Sequence, residues 1–105
     1  MATMSLKAAR IAIDREHGPG ASADDARLVT AYMYTGAVRP RPEWLRDEAA
    51  VLRGRAAERR VAALSAKATQ DRRLAMGSLS LAGIWECDAD DLDSLAQDLE
   101  NEVRS

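Results

Sequence analysis

The chain contains no phenylalanine, and its aromatic residues are limited to Tyr32, Tyr34, Trp44 and Trp85. Its hydrophobic fraction of 47% therefore leans on alanine. At about 25 cal/mol per Å² of buried apolar area, alanine contributes little per residue, so a thin core is expected. Long apolar runs are also missing. None approaches the roughly 20 residues that a membrane-spanning helix requires, and charged residues make up 30% of the chain. The first ten residues hold no extended apolar segment, so no signal peptide is expected. Cys87 is the only cysteine, which excludes an internal disulfide. Together these absences lead to the expectation of a cytoplasmic protein. No phosphate-binding glycine loop and no metal-ligand histidine spacing is present, so no cofactor and no metal are expected, nor is an enzyme. At 105 residues the chain suits one domain, or a small domain with a tail.

What the chain does have is charge divided between two regions. Before Gly77 there are fourteen Lys and Arg against nine Asp and Glu, a balance of about +5. From Gly77 onward eight acids face a single base, Arg104, a balance of about −7. The expected organisation is a helical body over 1–76 followed by an acidic amphipathic tail over 77–105.

The pattern predicts an all-α fold with two short helices, one long helix, a linker and a short acidic helix. Leu6, Ala9 and Ile13 give a helical face from about Ser5 to His17, ended by Gly18-Pro19-Gly20. A short strand through Arg10 to Ile13 is the alternative. Ser22 is placed to cap a second helix, with Asp24 and Asp25 in its first turn, and Gly36 closes it. Pro42 suits the first position of a third helix, predicted from Glu43 to about Ala75. Its expected seam is Ala50, Gly54, Ala57, Val61, Leu64 and Ala68, alternating steps of four and three as in a coiled coil. Gly54 weakens this helix by about 1 kcal/mol, which leaves one continuous helix, a bend there and a break into two as the open alternatives. Gly77, Ser78, Ser80 and Gly83 mark the linker. Asp88 then caps a helix from about Ala89 to Val103 with Leu92, Leu95, Leu99 and Val103 on one face.

Two rows of side chains are candidates for binding. Arg46, Arg53, Arg60 and Lys67 recur every seven residues and share a helix face. They could contact nucleic-acid phosphates, lie solvated, or dock the acidic tail. The second candidate is the tail, where Leu81, Ile84 and Trp85 precede the acidic helix. Trp85 either folds back to complete the thin core or anchors a partner.

Other constellations fail on their own chemistry. Asp88, Asp90, Asp91 and Asp93 resemble a calcium loop, but the fifth loop position is Leu92 and the twelfth, where a bidentate Glu is needed, is Leu99. His17 and Cys87 are each unique, and no third residue orients them as a catalytic pair.

Gly83-Ile84-Trp85-Glu86 followed by Asp90-Asp91-Leu92-Asp93 resembles the toxin-neutralising tail of type II antitoxins, most closely those paired with PIN-domain ribonucleases. The resemblance covers about residues 77–104. It implies an extended segment and a short helix that wrap a toxin, with Leu81, Ile84, Trp85, Leu92, Leu95 and Leu99 in the contact. Such toxins have acidic sites commonly blocked by a basic antitoxin side chain, and Arg104 is the only base in this tail. The DNA-binding domain usual in such antitoxins is not evident in residues 1–42. The resulting expectation is a non-enzymatic protein-interaction module that neutralises another protein, a toxin in the specific form. The alternatives are a small dimeric DNA-binding regulator using the basic row, or a phage or assembly component built on the small-residue seam. A homodimer or helical hairpin is expected on that seam, with any nucleic-acid binding weak, and no membrane association.

Overall fold

A computed structural model describes residues 5–68 and 71–104, giving the backbone alone for Ala68 and Arg104. The chain is all-α: α1 covers Leu6–His17, α2 Ala21–Asp24, α3 Ala26–Thr35, α4 Pro42–Ala68 and α5 Arg72–Arg104. No strand occurs among the described residues, so the alternative strand at Arg10–Ile13 gives way to α1. Ser5 caps α1, its hydroxyl accepting from the Ala8 amide, and the Gly18 amide closes the other end on Asp14.

The second helix departs from expectation by breaking. Asp25 is extended (φ −140°, ψ 95°) and divides α2 from α3. Its carboxylate caps α3 by accepting from the Arg27 amide and also takes the Arg27 guanidinium. Ser22 does not act as the cap; its amide instead donates to Asp14 Oδ1 at 2.8 Å and ties α2 to α1. Gly36 ends α3 in the left-handed region (φ 74°), as the predicted stop requires.

The long helices form an antiparallel hairpin. α4 begins at Pro42 and passes through Gly54 as one helix. It ends at Ala68, short of the predicted Ala75. Asp71 makes the corner: its amide donates to the Ala66 carbonyl, and its carboxylate caps α5 by accepting from Leu74. The predicted linker is helix, because α5 runs unbroken through Gly77, Ser78, Ser80 and Gly83. Two glycines cost such a helix about 1 kcal/mol each. They are carried by packing, for α5 buries Ala75, Ser78, Ala82, Ala89, Leu92 and Ala96, with Trp85 and Leu99 partly buried in the same row. Those steps of three and four form a continuous coiled-coil seam from one end of the helix to the other.

The facing seam on α4 is Leu45, Ala49, Leu52, Ala56, Ala63 and Ala66. It lies one or two positions before the predicted row. Ala50, Gly54 and Ala57 are exposed, as are Val61 and Leu64. Both rows have small residues in coiled-coil spacing, but only the observed one carries Leu45 and Leu52, which are fully buried with Leu92. Each such leucine contributes roughly 2 kcal/mol through burial.

The main cluster joins Ala31 of α3 to Leu45, Ala49, Leu52, Ala89, Leu92, Leu95 and Ala96. A second cluster, Ala9, Ile13 and Val29, holds α1 to α3. At 1.5 Å per residue, the 33 residues of α5 span about 50 Å, which matches the 51 Å long axis of the molecule. The radius of gyration is 16.1 Å, against about 13 Å for a compact chain of this length. The excess comes from the end of the hairpin that extends beyond α1–α3.

Candidate functional site

The basic row and the acidic region meet each other. Arg46 pairs with Glu100 at 2.9 Å, Arg53 with Asp93 at 2.6 Å and Asp90 at 3.0 Å, and Arg60 with Glu86 at 2.6 Å. Each step of seven up α4 is a step of seven down α5. This is the geometry of two antiparallel helices whose flanking positions face each other beside the seam. Of the readings open for the basic row, its first three residues therefore dock the acidic region of the same chain. Hydrogen bonding to the paired carboxylates raises the pKa of Arg46 and Arg53. These pairs are largely solvated, so they set register more than they stabilise.

The ladder ends at the fourth rung. The next step would match Lys67 to position 79, which is Leu79. Lys67 and Leu79 line the same groove, and Lys67 enters no ion pair with a described residue. Beyond it, Arg72 and Arg73 likewise enter none among the described residues.

The opposite flank of the hairpin is covered by α3, but only over its proximal half. Tyr34 donates its hydroxyl to Asp88 at 2.6 Å. Burial, and then that hydrogen bond, push the phenol pKa up. Arg27 donates to Asp25, Ser94 and Asp98, clamping α3 onto the end of α5. The Arg27 hydrogen bond holds the Asp25 carboxyl below its ordinary value. Asp91, half-buried near Asp88, is pushed the other way, first by burial and then by its acidic neighbours.

The expected partner-binding residues separate into three groups. Leu92 and Leu95 are buried, and Leu99 packs against the same cluster. Trp85 folds back onto that core with the Arg59 guanidinium 6.0 Å from its ring centre. Trp85 thus packs against the core while remaining partly exposed. The second group, Leu81 and Ile84, remains accessible, Ile84 being 56% exposed. The third is Arg104, whose side chain lies outside the described residues. The structure does not bring His17 and Cys87 into one site. The His17 ring contacts the Val38 carbonyl at 2.6 Å, while Cys87 is exposed on α5, which α1 does not touch among the described residues. No group of three or more metal-binding side chains occurs among the described residues. No helix there is long and apolar enough to cross a membrane.

The sequence reading did not anticipate the apolar surface at the hairpin's far end. Val61, Leu64, Leu74 and Met76 are 63%, 68%, 52% and 70% exposed. Beneath them the seam contains only Ala63, Ala66 and Ala75, with Ser78 and Ala82 following. The buried Ser78 hydroxyl has no hydrogen-bond partner among the described groups. Three concavities run along the ladder flank. The first, about 330 Å³, lies between Arg53, Arg60 and Glu86. The second, about 210 Å³, shares Arg60 and adds Leu64, Lys67 and Leu79. The third, about 580 Å³, shares Lys67 and Leu79 and reaches Arg72 and Met76. The signal for this surface was present in the sequence as a second apolar row on α4, beside the seam. Neither a family model, nor a curated protein, nor a solved structure matches this chain.

Proposed function

We propose that this chain is a non-enzymatic protein-interaction module whose partner seats on the far half of the α4–α5 hairpin. The observation that carries the reading is large apolar side chains exposed on a rigid helical pair, Leu64 and Met76 foremost. Contiguous exposed apolar surface on a small protein commonly marks an interaction site. Rigid helices reduce the ordering cost of binding. In its specific form, the module neutralises another protein as an antitoxin does. Of the expected contact set, Ile84 is exposed on the same half of the hairpin, and Leu81 lines a separate concavity there with Leu74. Leu92, Leu95 and Leu99 then act from within, holding the presenting helix in place.

A photo-crosslinking amino acid at Leu64 or Met76 tests this in the native cell. A discrete covalent adduct with another protein is expected at these positions and not at exposed Ile11 on α1. Adducts at Ile11 alone, or at none of the three, would refute the proposal.

A further inference from the structure

The far half of the hairpin differs from the rest of the molecule in charge as well as in exposed apolar surface. Residues 55–84 hold Arg55, Arg59, Arg60, Lys67, Arg72 and Arg73 against only Glu58 and Asp71, a balance of +4. In the proximal half, the row on α4 is answered by acids on α5. In the distal half the row continues as Lys67, and α5 offers Leu79 instead. The groove between Arg60 and Arg72 thus pairs an apolar floor, Leu64, Met76 and Leu79, with cations along its edge.

We infer that this groove receives an acidic amphipathic helix from the partner protein, its apolar face on Leu64, Met76 and Leu79 and its carboxylates on Lys67 and Arg72. The inference rests on the proposed interaction function and names the chemistry of the partner. The chain itself supplies the precedent, since residues 86–100 of α5 lay an acidic apolar-faced helix against α4 beside the arginine row. Charge argues against the same groove of a second copy as occupant, because two grooves each bearing Lys67 and Arg72 would repel. Apolar exposure argues against nucleic acid, whose backbone calls for cations and hydrogen-bond donors rather than Leu64 and Met76. A helix in a groove reads through apolar anchors spaced three and four apart, and charge adds specificity and speed of association.

The test uses the full chain and two synthetic helical probes of about 20 residues, roughly the length that spans the groove and its approaches. Both carry leucine in coiled-coil spacing; one has glutamate beside the leucines, the other lysine. The expected result is binding of the glutamate probe at least about tenfold tighter than the lysine probe, weakening as salt rises. Lys67→Glu with Arg72→Glu should reverse the preference. Leu64→Ser with Met76→Ser should weaken both probes. All four side chains line the groove and none is buried, so the variants should fold, which circular dichroism checks. Equal binding of the two probes, no binding, or an unchanged preference in the double-glutamate variant overturns the inference. So does binding of a DNA duplex or of phosphatidylserine vesicles in place of the glutamate probe, or dimerisation of the chain that buries Leu64. A Leu64 crosslink to another protein in the cell, with no preference for the glutamate probe, would leave the interaction function standing and remove the acidic partner.

Discussion

The two halves of the α4–α5 hairpin follow one coiled-coil spacing and differ in what occupies it. In the proximal half the seam carries Leu45, Leu52, Leu92 and Leu99 among its alanines, with Ala31 of α3 packed into the same cluster. In the distal half it carries Ala63, Ala66 and Ala75, with the unsatisfied Ser78. On the ladder flank the proximal half answers each arginine with a carboxylate, while the distal half leaves Lys67 beside Leu79. Spacing alone therefore specifies that two helices pair. The identities at the spaced positions decide where the pair is a core and where it is a surface offered to something else. Stability is expected to reside in the proximal half, and recognition in the distal half.

The sharpest way to break this division is to remove residues 83–105. The acidic region would be dispensable if it were a detached tail. Here it supplies Ala89, Leu92, Leu95 and Ala96 to the main cluster and the acceptors for Tyr34 and Arg27. Loss of the cooperative thermal transition is expected, with helix content falling well beyond the residues removed. A truncated chain that melts cooperatively would show that the body folds without α5.

A smaller effect separates the halves by single substitution. Leu52→Ala removes a fully buried side chain and should cost about 2–5 kcal/mol. Leu64→Ala, at 68% exposure, should stay within about 0.5 kcal/mol. Urea melts of the two variants check the contrast, and comparable losses would erase it.

The seam itself admits a finer cut. Ala56 is 1% exposed while its neighbour Ala57 is exposed. Ala56→Leu should overpack the hairpin and cost about 1–3 kcal/mol. Ala57→Leu should be tolerated, the reverse of what the predicted seam implies.

That reversal shows what was legible. The all-α class, α1 with its Ser5 and Gly18 ends, the Gly36 stop and the Pro42 start could all be read from local signals, and each stands. The seam could not be fixed locally, because α4 carries two adjacent rows in coiled-coil spacing. The choice between them depends on α5, whose Ala75, Ala82, Ala89 and Ala96 recur every seven residues. Those alanines also explain the misread linker. Gly77 and Gly83 signal interruption when taken alone, but sit in a helix once the alanine row packs on α4, Ala75 with Ala63 and Ala66, and Ala89 and Ala96 with Leu52. The docking of the basic row was one of three open readings. Matching seven-residue steps in Arg46, Arg53, Arg60 and in Glu86, Asp93, Glu100 could have selected it. The exposed apolar surface was hidden by the assumption that every apolar row is a core row.

The proximal clamp gives opposite pH effects at two aspartates. Asp25 has its pKa lowered in the folded state, chiefly by the Arg27 hydrogen bond. Its contribution is present above the unfolded value, about 3.9, and is lost as pH falls through the folded one. Asp91 has its pKa raised, chiefly by burial. Its charged form is a cost above the folded value that disappears as the carboxyl protonates. Asp25→Asn should therefore lower the melting temperature at neutral pH and flatten its fall below about pH 4. Asp91→Asn should raise it at neutral pH, with the gain vanishing in acid. Melts from about pH 3 to 7 decide: an Asp25→Asn chain no less stable at neutral pH would remove the Arg27 clamp as the cause, and an Asp91→Asn chain no more stable there would remove the cost of burial.

The smallest effect concerns the missing rung. If the ladder is set by antiparallel register, a carboxylate at position 79 should find Lys67 as Glu86 finds Arg60. Leu79→Glu loses some apolar contact, so its effect alone is not diagnostic. A double-mutant cycle with Lys67→Ala isolates the pair. Solvated ion pairs of this kind are worth about 0.2–1 kcal/mol, so a coupling near 0.5 kcal/mol is expected, falling with added salt. Zero coupling at low salt would show that the register does not extend to the distal half, and that its helices diverge beyond Arg60. A measured coupling would show that sequence, not geometry, ends the ladder at Arg60, and that Leu79 keeps a cation and an apolar floor available in one groove.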